Sequence, residues 1–98
     1  MDKLYNLIGL AMRARKVVSG EELMDAIRKK KVSLVIVCED ASENTKKRYV
    51  DKCNFYNIDL IMVDSSIRLN QAIGKVNRMA IGIKDEGFKK SMMKCWKG

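Results

Sequence analysis

The chain reads as an α/β protein, a three-layer α/β/α sandwich on a central mixed sheet of about four strands. Three observations predict it. Helical and extended patterns alternate along the whole length. One run, Val32 to Cys38, is almost continuously apolar and β-branched, as in a strand covered on both faces. No proline, low-complexity tract or linker breaks the alternation. Such a rhythm implies crossover connections and helices on both sides of a sheet. With 98 residues, the chain is expected to be a single domain with one core.

Each element has a local reason. From Asp2 to Ala14, the residues Leu4, Leu7, Ile8, Ala11 and Met12 recur at helical spacing, and Asp2 complements the helix dipole. Lys16 to Val18 is a short extended piece. Ser19 or Gly20 then caps a second helix with Glu21 and Glu22 in its first turn and Leu23, Met24 and Ile27 inward. Its basic end, Arg28-Lys29-Lys30-Lys31, again suits the dipole. After the strand at Val32 to Cys38, Ser42 is a good N-cap for a helix through about Asn54, with Tyr49, Val50 and Cys53 inward and Lys46, Lys47 and Arg48 on a solvated face. Ile58 to Val63 is the next strand. Asp64-Ser65-Ser66 caps a short helix that Gly74 ends as a C′ glycine. Met79 to Ile83 is a further strand, and Glu86 to Trp96 a last helix with Phe88, Met92, Cys95 and Trp96 as apolar contacts.

Composition bounds the function. Apolar residues at 47% and charged residues at 33% are globular values, and the net charge of +8 points to an anionic partner. Cys38, Cys53 and Cys95 are an odd set without a C-x-x-C pair, and the chain has no histidine, so neither a disulfide framework nor a zinc site is expected. The longest unbroken apolar run, Leu34 to Cys38, is far short of the ~20 residues of a membrane span. A reduced, cytoplasmic location follows as an expectation. The general base commonest near neutral pH is absent, as are the P-loop and G-x-G-x-x-G patterns. Glu39 and Asp40 follow a buried strand but read as capping groups. No enzyme activity, cofactor or metal is expected.

The chemistry that remains is concentrated between Arg13 and Lys31. Arg13, Arg15 and Lys16 precede a glycine turn, Ser19-Gly20-Glu21-Glu22, and Arg28 to Lys31 follow it. Free amides at a helix start bind phosphate, and a glycine permits close approach. Glu21 and Glu22 would repel phosphate but can accept hydrogen bonds from base amino and imino groups while the cations hold the backbone.

The run Leu7-Ile8-Gly9-Leu10-Ala11-Met12-Arg13-Ala14-Arg15-Lys16-Val17-Val18-Ser19-Gly20-Glu21-Glu22 resembles the opening of the kink-turn-binding ribosomal-protein family, the L-seven-Ae and L-thirty-e superfamily, in its small bacterial YlxQ-type branch. Leu34 to Ser42 with Asn44 to Lys47, Asp51-Lys52-Cys53 with Tyr56, and Ala72-Ile73-Gly74-Lys75 leading into Arg78 match in the same order. The resemblance implies an α/β/α sandwich and binding to kink-turn RNA, a bent helix-bulge-helix element with sheared G·A pairs. In the family a G-x-N-E-x-x-K pattern at the second helix reads guanine edges, and a loop before the last strand contributes apolar and basic contacts. By position, Ser19, Gly20, Glu21 and Glu22 match the helix start, Lys16 a preceding basic contact, and Val76 to Met79 the loop. The pattern's lysine is absent: aligned on Leu34-Val35 its place falls on Asp25, and aligned on Gly20 it falls on Ala26. Arg28, one turn on, is a candidate substitute.

The expected site is therefore Arg13, Arg15, Lys16, Ser19, Gly20, Glu21, Glu22, Arg28, Lys75, Val76, Asn77, Arg78 and Met79. The expected partner is structured RNA of kink-turn or ribosomal type, with the ribosome a further candidate. A protein-interaction or adaptor module on the same fold is the alternative. It is favoured if acids rather than cations dominate the surface near Gly20. A membrane-surface role for the first helix requires Leu4, Leu7, Ile8 and Ala11 to be exposed, and they are expected in the core.

Overall fold

The structure, a computed structural model, describes residues 1–97. The elements are α1 (Asp2–Arg13), β1 (Val17–Ser19), α2 (Glu21–Arg28), β2 (Leu34–Cys38), α3 (Glu43–Tyr56), β3 (Asp59–Val63), α4 (Ser66–Ile73), β4 (Ala80–Ile83) and α5 (Glu86–Lys97). They form one mixed sheet in the order β1-β4-β2-β3. β2 and β3 run parallel through the α3 crossover, and β4 lies antiparallel to both β2 and β1.

Alternation along β2 divides the core into two layers. Leu34, Ile36 and Cys38 face Leu4, Ile8 and Ala11 of α1, Leu69 and Ile73 of α4 and Met92 of α5. Val35 and Val37 face Leu23, Met24 and Ile27 of α2 and Cys53 of α3. Every residue of β2 is buried, as the unbroken β-branched run requires. Leu4, Ile8 and Ala11 of α1 are buried in this core and Leu7 is partly buried against it, whereas Leu10 is exposed. Among the described residues, no helix is long and apolar enough to cross a membrane.

Gly82 sets how closely α2 lies on the sheet. A Cβ built there would meet Val32 Cγ1 at 2.7 Å and Leu23 Cδ1 at 2.8 Å, so no side chain fits between β4 and the start of α2. Across the other face, the Tyr5 hydroxyl donates to Asp64 Oδ1 at 2.5 Å and accepts from Ser65 N at 3.1 Å, tying α1 to the beginning of α4. The Arg68 guanidinium sits 4.3 Å from the Tyr5 ring centroid and pairs with Asp2.

Several boundaries differ from the sequence expectation. β2 begins at Leu34 rather than Val32, because Lys30 takes a positive φ of 55° to end α2 and Val32 is used against Gly82. β4 begins at Ala80, leaving Met79 at the surface. Gly20, not Ser19, is the N-cap of α2, since Ser19 is paired with Ile81 in the sheet. On α3 only Cys53 is fully buried, with Tyr49 and Val50 at the margin. Trp96 is exposed; its indole Nε1 donates to the Met62 carbonyl at 3.1 Å instead of filling the core. Asp40 caps a different helix from the one it precedes: Ser66 N and Ser66 Oγ of α4 donate to its carboxylate, the latter at 2.7 Å. These bonds hold its carboxyl below the usual carboxylate range.

Candidate nucleic-acid interface

Gly20 turns the chain from β1 into α2 at φ 72°, ψ −146°, a conformation that essentially only glycine adopts. No side chain caps the helix, so the first-turn amides of Glu21 and Glu22 are not engaged by a capping oxygen. Both glutamates are exposed. α2 is fixed behind them by fully buried Leu23 and Ile27.

A loop from Gly74 to Met79 comes up against this turn. Gly74 ends α4 in the left-handed region at φ 68°, and Asn77 takes φ 57°. Asn70 latches the loop to α4. Its Nδ2 donates to the carbonyls of Ser66 (2.7 Å) and Arg78 (2.9 Å), and its Oδ1 accepts from Arg78 N at 2.9 Å. So held, Arg78 reaches Gly20. A Cβ at Gly20 would lie 3.4 Å from Arg78 Cζ and 3.5 Å from both Nη atoms, so the guanidinium presents its face to the glycine. Its Nε is buried and has no hydrogen-bond partner.

Between turn and loop lies an open cleft of about 510 Å³. Of the residues expected at the site, it brings together Ser19, Gly20, Glu21, Glu22, Lys75 and Arg78. A neighbouring depression of about 380 Å³ shares Gly20, Glu21 and Arg78 and adds Asn77 and Met79, with Thr45, Arg48 and Tyr49 as the α3 wall. Val76 and Ile67, 75% and 70% exposed, stand on the other side of the loop in a groove that also contains Lys75 and Met79.

Besides Val76, four expected residues line neither the cleft nor the neighbouring depression. Arg13 lines a separate groove between α1 and α4, together with Arg68. Arg15 forms the turn after α1 at φ 61°, and Lys16 is exposed beside it, with its carbonyl accepting from Lys84 N. Arg28 is at the far end of α2, about 12 Å along the axis from Gly20. Closeness in sequence made these look like one patch, but the helix and the turn point them apart. Arg28 thus lines neither the cleft nor the depression beside it. Ala26 is buried, and Asp25 is paired with Lys29 at 3.1 Å, so neither alignment places a cation on α2 near the cleft. The charged residues lining the cleft are two acids, Glu21 and Glu22, and two cations, Lys75 and Arg78; Asp25 does not line it. The sequence reading missed Asn70 and the α3 wall. Arg48 belongs to a run of three cations that reads as a solvated face, and nothing in the α4 pattern marks Asn70.

Among the described residues, no cluster of His, Cys, Asp or Glu could hold a metal ion. The buried thiols are unreactive by environment: burial pushes Cys38 up to about 12 and Cys53 up to about 11.

Comparison with known proteins agrees with this frame. Residues 2–93 match the model of the ribosomal protein L7Ae/L30e/S12e/Gadd45 family. The chain is 47% identical over 85 residues to the RNA-binding protein YlxQ of Bacillus subtilis (strain 168), covering 86% of this chain and 85% of that one. It is 46% identical over 97 residues to the RNA-binding protein YlxQ of Enterococcus faecium, covering 98% and 93%. A solved structure of a protein with unknown function from Bacillus halodurans superposes with a TM-score of 0.92 at 39% identity, over 98% of each chain. The Giardia lamblia 15.5kD RNA binding protein shares the fold, with a TM-score of 0.78 at 17% identity, over 96% of this chain and 82% of that one. With the whole sheet and five helices accounted for, the chain belongs to the ribosomal protein L7Ae/L30e/S12e/Gadd45 family.

Proposed function

We propose that this protein is a non-enzymatic RNA-binding protein whose site is the cleft between the start of α2 and the 74–79 loop, and that the RNA it takes is a kink-turn. The observation that carries the reading is the seating of Arg78 across Gly20, which sets a guanidinium beside bare backbone and two exposed carboxylates. Arg78 and Lys75 hold phosphates, with the Glu21 and Glu22 amides as further donors. The Glu21 and Glu22 carboxylates accept from base amino and imino groups, which a sharply bent RNA exposes. Val76 and Met79 offer apolar contact to an unstacked nucleotide. Family membership and the names of the two bacterial relatives support the reading. A ribosomal RNA containing such a bend presents the same groups and would be bound in the same way.

The test is the salt dependence of binding to a fluorescent kink-turn RNA. The expected log-log slope is roughly −0.7 to −0.9 per phosphate neutralised. No binding, or binding indifferent to salt, overturns the proposal.

A further inference from the structure

The depression beside the cleft has a wall that neither the turn nor the loop supplies. α3 brings Thr45, Arg48 and Tyr49 to the depression that contains Gly20, Glu21, Asn77 and Arg78. Of these three, only Arg48 is a cation, and it makes no ion pair among the described residues. The contrast with its neighbour Lys46 is informative. Lys46 Nζ is committed to the Glu43 carboxylate at 3.0 Å and to the Glu39 carbonyl at 3.2 Å. Lys47, also exposed, does not line the depression. One turn of helix therefore carries one engaged cation, one turned elsewhere, and one on the depression. α2 cannot fill that role, since it contributes an acid and an apolar residue, Glu21 and Met24, to the same depression, and Asp25 is held by Lys29. Among the described residues, the only carboxylate lining the depression is Glu21, so a phosphate entering beside Arg48 and Arg78 meets two unpaired guanidiniums against one acid.

We propose that Arg48 holds a phosphate of the bound RNA strand, from the α3 wall of the depression that Gly20 and Arg78 also line. The proposal rests on the RNA-binding reading above and adds a residue to it. Arginine suits the role because its planar fork can grip two phosphate oxygens at once. The helix also fixes its Cα rigidly relative to β2, through Cys53 and the sheet.

The experiment measures binding of a fluorescent kink-turn RNA across a range of KCl concentrations for the unmodified protein, Arg48→Ala, Arg48→Lys, Lys47→Ala and Arg78→Ala, with circular dichroism to confirm folding. Arg48→Ala is expected to weaken binding roughly sixfold at 0.1 M salt and to make the log-log slope shallower by about 0.8, the signature of one phosphate no longer neutralised. Arg48→Lys should restore the slope and part of the affinity, and Lys47→Ala should change neither. The proposal is overturned on its own if the unmodified protein binds, Arg78→Ala weakens it, and Arg48→Ala matches the unmodified protein or merely matches Lys47→Ala. Failure of the unmodified protein to bind overturns both this proposal and the reading beneath it.

Discussion

Arg78 lies face-on to Gly20, with Cζ and both Nη atoms 3.4 to 3.5 Å from the place where a side chain would begin. Two distant stretches of sequence meet there, one shaped by a glycine in a conformation other residues avoid and the other by a loop latched to α4. The two sides of the cleft are thus held by independent devices, and each can be disturbed separately.

Replacing the glycine tests the first device. In Gly20→Val the new residue must hold a positive φ of 72°, and its γ-methyls would drive the guanidinium away. The expected loss is about 1–3 kcal/mol of stability from backbone strain, accompanied by weaker RNA binding. Urea denaturation and RNA titration of the same preparation check both.

Asn70 tests the second. In Asn70→Ala, the Arg78 amide and carbonyl and the Ser66 carbonyl lose their bonds to the Asn70 side chain together. A cost of about 1–3 kcal/mol is expected, and the freed loop should exchange its amide hydrogens faster than the rest of α4. RNA affinity falls, because the loop must then be ordered on binding. Protection of the Arg78 amide in hydrogen exchange, unchanged from the unmodified protein, would contradict the latch.

Alkaline pH should erode the fold from the α1–α4 side. Tyr5 is pushed up to about 12, first by burial and then by its hydrogen bond to Asp64, against an ordinary value of 10.0. A folded pKa above the unfolded one stabilises fully below the unfolded value and is lost as pH rises through the folded value. The Tyr5 contribution therefore declines between pH 10 and about 12, and burial of Cys38 and Cys53 adds a decline beginning near pH 9. Tyr5→Phe should be less stable at pH 8 by about 1–2 kcal/mol, because its hydrogen bonds are gone, yet fall less steeply above pH 10. Urea midpoints at pH 8, 10 and 11 give the comparison.

Much of this molecule was legible in its sequence because its core obeys simple periodicities. The run from Leu34 to Cys38 is apolar on both faces because helices cover both. Glu21 and Glu22 mark the α2 start, and Gly74 marks the α4 end, through local chemistry that does not depend on the rest of the chain. What stayed hidden was long-range. Arg13 and Arg28 flank Gly20 in sequence but are carried away from the cleft by a turn and a helix, whereas Arg48 and Arg78 arrive from α3 and the loop. Asn70 matters through three backbone groups, two of them eight residues away, and no spacing rule announces that. Gly82 reads as a weak point in a strand until the methyl groups of Val32 and Leu23 are seen above it.

The central claim is that the cleft reads the bent RNA rather than only its charge. The direct measurement is a titration of the protein against a kink-turn RNA and against the same RNA with its G·A pairs replaced by Watson–Crick pairs, at one salt concentration. If Glu21 and Glu22 accept from exposed base edges, the kink-turn should bind more tightly by about 1–3 kcal/mol for each base-edge hydrogen bond that the replacement removes. Equal affinity for the two RNAs would contradict the account, leaving the phosphates as all that the protein recognises.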